Sequence, residues 1–258
     1  MWSHTLEDAR ILRSRTALVA SLLAAALAAW IVTVQRMRGM DAGPGTDLGA
    51  LGWYIGIWMT MMAAMMLPST APVVVMFSRV RDGAHACGFV LGYLLAWAGY
   101  GLAAYAIYRA IRASAPSFLA WDDRGPWVAG GALTAAGLYQ LTPLKSACLR
   151  HCRSPLHFLL HGRPGRLGAV WTGARHGGYC VGCCIGLMLA LFALGVMSLF
   201  WMAVVAAAIL VEKALPGGEM VARVLAVVLV ALGAWVAVSP ASVPGLVQPT
   251  QMPMEMEP

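Results

Sequence analysis

The chain has 258 residues, of which 60% are apolar and only 11% charged, against about 25% charged in an ordinary soluble domain. With a mean hydropathy of +0.73 and a net charge of +7, it is neither disordered nor a secreted disulfide scaffold, and a soluble fold could not cover its apolar surface. Lipid offers backbone groups no partners, and the alternation of a β-barrel is absent, so an all-α, polytopic transmembrane helical bundle in a lipid bilayer is expected.

Long uncharged segments place six spans, near 16–34, 53–77, 86–108, 126–142, 181–211 and 222–240. Arg10, Arg13 and Arg15 ahead of an Ala-rich run resemble a signal peptide. That apolar run is longer than a signal-peptide core, so the segment is expected to remain as a span. The fifth span makes roughly 45 Å of helix against a hydrocarbon core of roughly 30 Å. It either tilts, projects from the bilayer or breaks at Gly195, and a break gives seven spans. Residues 143–180 read as a basic, Cys/His-rich loop, and residues 241–258 as a flexible tail.

Lys and Arg set the orientation. With the N-terminus inside, the inner loops hold eleven basic residues and the outer loops seven. The segment Lys145–Arg175 carries six basic residues and no acidic one. It is expected in the cytoplasm, together with both termini. The excess charge thus reads as topology, with no nucleic-acid partner, since the basic loop has only Phe158 and Trp171 as aromatics.

Five of the six cysteines fall in two triplets of one spacing: Cys148, His151, Cys152 and Cys180, Cys183, Cys184. Residues three and four apart share a helix face. The first triplet follows span four and the second opens span five, so two antiparallel helix ends could bring five thiols and an imidazole to one point. Thiolates select soft ions, with Cu(I) favoured and Zn(II) the alternative. Lys145, Arg150 and Arg153 are expected to lower the thiol pKa values; His157, His161 and His176 are auxiliary ligand candidates, each by itself reading as an ordinary loop histidine. Cys87, standing alone, reads as a small hydrophobe. Two other readings stay open: a membrane thiol–disulfide oxidoreductase, which belongs on an oxidising side, and a structural assembly protein with a zinc-stabilised loop.

Within span two, Met59, Met61, Met62, Met65 and Met66 occupy an arc of about 160° at 100° per residue. They form either core filling or a soft-metal path, which Met188, Met197 and Met202 could face. Pro68 and Pro72 loosen the helix beneath them. Glu212 and Lys213 end span five; adjacent helical residues do not face each other. Snorkelling to the interface is expected, with an ion or proton site as the alternative. No Walker loop, H-E-x-x-H or nucleophile elbow is present, so nothing indicates nucleotide-driven or hydrolytic chemistry.

WMTMMAAMMLPST near 58–70, GLYQLTPLKSACLRHCRSPL at 137–156, GYCVGCCIGLM at 178–188 and GVMSLFWM with VEK within 195–213 together resemble a bacterial family. That family is described as predicted metal-binding integral membrane proteins (domain of unknown function 2182). The resemblance implies a multi-pass protein of the bacterial inner membrane with a metal site. It reaches Met59, Met62, Met66, Lys145, Cys148, Cys152, Cys180, Cys183, Cys184, Glu212 and Lys213. The expected function is soft-metal delivery, sequestration or transport, with a metal chaperone or an oligomeric partner.

Overall fold

The computed structural model describes residues 2–38, 43, 47–78, 83–114, 121, 124–154 and 165–246, with side chains in the first helix from residue 16 onward. Among these residues there are eight α-helices and no strand. They are α1 (Trp2–Met37), α2 (Leu51–Phe77), α3 (Gly83–Ser114), α4 (Gly125–Gln140), α5 (Pro143–Arg153), α6 (Gly165–Leu194), α7 (Leu199–Ala214) and α8 (Gly218–Val238). Five are long and apolar enough to cross a membrane: Thr16–Met37 of α1, and α2, α3, α6 and α8. Helices α4 and α7 have 16 residues each, about 24 Å of helix. Pro68 and Pro72 lie inside α2 without ending it.

The stretch expected as one fifth span, 181–211, is an antiparallel hairpin of α6 and α7. Gly195 has φ +107°, a conformation that costs a side chain with a Cβ. Ser198 then caps α7, its hydroxyl accepting from the Trp201 N–H. Both arms are apolar, so only the turn residues distinguish a hairpin from one long helix.

The segment 143–180, expected as a loop, is largely helical. Thr142 caps α5 by accepting from the Lys145 N–H, with Pro143 at the first helical position. Helix α6 already begins at Gly165. Its first turns are amphipathic, Arg166 and Arg175 exposed while Ala169, Thr172 and His176 are buried. The basic residues that mark a loop are here the solvent face of a helix. The expected tail is also ordered at its start. Residues Pro240–Ser242 form a 3-10 turn, the Trp235 Nε1–H donates to the Ser242 hydroxyl at 2.7 Å, and Val243 and Leu246 are buried. Arg79, Arg81, His157, His161, Arg163 and the tail methionines Met252, Met254 and Met256 lie outside the described residues.

Helix α6 is the hub, packing against α3, α4, α5 and α7, while α2 packs against α1, α3 and α7. The α3–α6 approach is close enough that a Cβ on Gly92 would overlap the Val170 carbonyl, and one on Gly173 the Phe89 carbonyl. Outward faces remain apolar, with Ile107, Val227 and Val238 largely exposed. Such surface suits contact with lipid.

These contacts make a paired test. Gly92→Ala should lower stability by about 1–3 kcal/mol, because the added methyl must push two backbones apart. Gly99→Ala, on the same helix with nothing near its added Cβ, should be neutral or stabilising by about 0.5–1 kcal/mol. Thermal unfolding in detergent reads both.

Candidate metal centre

Helix α5 turns one stripe inward: Lys145, Leu149 and Cys152 are its buried residues, spaced for a single face. Helix α6 answers with His176, Cys180, Cys183, Cys184 and Leu187, all buried. The second triplet therefore sits in the middle of a 30-residue helix, rather than opening a span. Cys152, Cys180 and Cys183 converge, their sulfurs all within 4.8 Å of one another. An ion about 2.3 Å from each sulfur would hold them roughly 4 Å apart, so little movement is needed to close on a metal. The donor set is soft and suits Cu(I).

The remaining members of the triplets take other places. Cys184 Sγ lies 3.5 Å from Cys183 Sγ, at the edge of the cluster. Cys148 is partly buried and packs on Gly182, where a Cβ would come within 2.7 Å of its sulfur. His151 stacks on Tyr179 at 4.7 Å between ring centroids, its Nδ1 is 2.8 Å from the Ala147 carbonyl, and it is not among the converging groups. His176 lies buried against the rings of Phe89 and Tyr93. Cys87 is exposed, and all six cysteines are free thiols.

Glu212 and Lys213 do not snorkel as a solvated pair. They point apart, each to a different element. Glu212 is buried and meets Lys145 at 2.5 Å, with Lys145 fully buried as well. Lys145 also donates to the Gln140 side chain. Lys213 is partly buried; its ammonium lies 2.9 Å from Cys180 Sγ and 3.4 Å from the Ser69 hydroxyl. The Tyr93 hydroxyl is 3.0 Å from the same sulfur. Cys180 is thus the point where α3, α6 and α7 meet.

Cys148 and Cys152 lie on α5, outside the spanning helices. Burial pushes the Cys148 thiol up, and contact with the Cys180 sulfur, ahead of burial, pushes up that of Cys152. The expected depression by Lys145, Arg150 and Arg153 does not outweigh this, because those groups are engaged elsewhere. Lys145 holds Glu212, Arg150 meets Glu219 at 3.1 Å, and Arg153 donates to the Leu215 carbonyl. A thiolate-seeking ion must therefore displace protons.

Met61, Met62, Met65 and Met66 are buried and Met59 is partly buried. Met188, Met197 and Met202 are buried in the same core cluster, which also contains Cys152, Cys180, Cys183 and Cys184. Thioethers and thiols are therefore continuous in one packed core. Sequence reasoning missed Tyr93, Ser69 and Gln140, which neighbour the charged groups here. Their one visible signal is polarity inside otherwise apolar segments.

Among known proteins, a family model named PpoB2 and described as a copper chaperone matches residues 55–236. The match takes in the methionine stripe, both cysteine triplets and the Lys145, Glu212 and Lys213 positions. Its description names copper, where the motif resemblance pointed to a family described only as metal-binding. No curated protein and no solved structure matches the chain.

Two outcomes follow from this geometry. Glu212→Gln leaves Lys145 as a buried uncompensated charge and should cost about 3–5 kcal/mol in thermal unfolding, whereas the paired change Lys145→Met with Glu212→Leu should recover most of it. Because the α5 thiols are held protonated without metal, Cu(I) affinity should rise as pH rises. A competition titration at two pH values on either side of neutrality reads the protons released.

Proposed function

The chain belongs to the PpoB2 copper chaperone family, and on that premise we propose that it is a membrane-embedded Cu(I) carrier that captures the ion between α5 and α6. The observation that carries this reading is the convergence of Cys152, Cys180 and Cys183 within 4.8 Å, from the two successive helices α5 and α6. Their burial supports tight holding, and Cys148, only partly buried against Gly182 of α6, is suited to receive the ion first. In this proposal α4 and α7 also cross the bilayer, giving seven spans. The basic face of α5 and the start of α6 lie in the cytoplasm of a bacterial inner membrane, with the N-terminus on the same side.

Beyond holding copper, the methionine stripe supplies a route. An ion crossing hydrocarbon without ligands carries a prohibitive solvation cost. Met61, Met62, Met65 and Met66, with Met188, Met197 and Met202, offer the thioethers that a Cu(I) path needs. Their shared core with the cysteines supports delivery from the thiol cluster toward the opposite side of the membrane, to an acceptor that takes copper there.

Anaerobic purification followed by metal analysis tests the capture step. Wild type should carry copper, Cys152→Ser, Cys180→Ser or Cys183→Ser should each lose most of it, and Cys87→Ser should keep it. Copper retained after Cys152→Ser/Cys180→Ser would contradict the shared site. Reconstituted vesicles test the route. Met59/Met62/Met66→Leu, which costs under about 1.5 kcal/mol of stability, should leave copper occupancy intact and abolish flux. Unchanged flux would make the stripe packing alone.

A further inference from the structure

A copper ion in a thiolate cluster brings a charge problem that the cysteines cannot solve. Cu(I) carries one positive charge, so two or three thiolates leave the loaded centre negative. Cys152, Cys180 and Cys183 are 6%, 0% and 1% exposed, and water cannot screen a charge held there. An uncompensated buried charge is costly. A cation must therefore stand beside the sulfurs.

The charged side chains around the centre are two ion pairs, one arginine turned to a backbone carbonyl, and one lysine that faces the sulfurs. Lys145 and Glu212 meet at 2.5 Å and cancel. Arg150 pairs with Glu219 at 3.1 Å on the surface, and Arg153 is turned to the Leu215 carbonyl. Lys213 is the cation among them that meets a thiol. Among the described residues no carboxylate lies within ion-pair distance of it; its ammonium has Cys180 Sγ at 2.9 Å and the Ser69 hydroxyl at 3.4 Å. Ser69 itself donates to the Met66 carbonyl at 2.9 Å, so the hydroxyl is fixed at the foot of the methionine stripe and oriented toward the amine. Adjacent positions on a helix point about 100° apart, which is how α7 sends Glu212 to α5 and Lys213 to the thiols.

Resting on the copper reading above, we propose that Lys213 is the built-in counter-cation of the copper–thiolate centre. Its ammonium offsets the negative charge that Cu(I) leaves on the sulfurs, and Ser69 holds it in place. Lys213 takes no part as a ligand; it sets how strongly a monovalent ion is retained in an apolar surround. Outer partners of this kind typically change metal affinity by about 10–100-fold.

The test is a Cu(I) competition titration against a chromophoric chelator, on the anaerobically purified full chain. Lys213→Gln keeps a polar tip for Ser69 and removes the charge, and should weaken Cu(I) binding by about 10–100-fold with thermal stability near wild type. Lys213→Arg restores the cation and should bind much closer to wild type. If Lys213→Gln does not fold, Lys213→Met, of similar volume, takes its place. Binding by the neutral variant equal to wild type would overturn the assignment. So would Lys213→Arg binding as weakly as Lys213→Gln, since charge would then not be the property that matters. A wild type that binds no Cu(I) would overturn the copper reading itself, and this assignment with it.

Discussion

A charge inside an apolar helical bundle must find a partner within hydrogen-bond reach, and the arrangement around α7 follows from that constraint. Glu212 reaches across to Lys145 at 2.5 Å, tying α7 to α5. The tie fixes the stripe on which Cys152 lies two turns further along. Lys213, next in the chain, reaches the other way to Cys180 at 2.9 Å, tying α7 to α6. One dipeptide thus aligns the two helices that supply the thiols. Breaking a buried pair by removing one member is far costlier than the pair is worth, so both the register of α5 and the position of Cys152 depend on it.

Close backbone contact supplies the second half of the scaffold. Gly92 and Gly173 let α3 and α6 touch main chain to main chain, and Gly130 faces Gly233 in the same way between α4 and α8. Lipid gives helices no hydrophobic reason to associate, so such packing is a principal source of adhesion. It also brings Tyr93 to 3.0 Å from Cys180. Without those glycines the hydroxyl would stand off and the cluster would lose one wall.

How far the sequence could be read differs from element to element. The matched triplets announced a thiol site, and the i, i+3, i+4 spacing did put Cys180, Cys183 and Cys184 on one buried face of α6. The methionine stripe was visible as an arc and four of its members are buried. The hairpin was legible as an alternative through Gly195, whose φ of +107° now accounts for it. The buried roles of Lys145 and Glu212 were not legible from spacing. Lysine at a membrane boundary normally snorkels, and the partner lies 67 residues away in sequence, beyond any local pattern. The loop assigned to 143–180 failed for a related reason: charge density marks solvent exposure, and one face of a helix provides that as well as a loop does. His151 shares the triplet spacing yet stacks on Tyr179, since spacing selects a face but not what that face meets.

Copper capture turns on two successive helices, α5 and α6, closing their thiols on one Cu(I). Copper-edge X-ray absorption on the anaerobically loaded full chain tests it most directly. One Cu(I) per chain is expected, in a first shell of sulfur alone drawn from Cys152, Cys180 and Cys183. A shell containing nitrogen or oxygen, or the same sulfur shell in Cys152→Ser/Cys180→Ser, would contradict it.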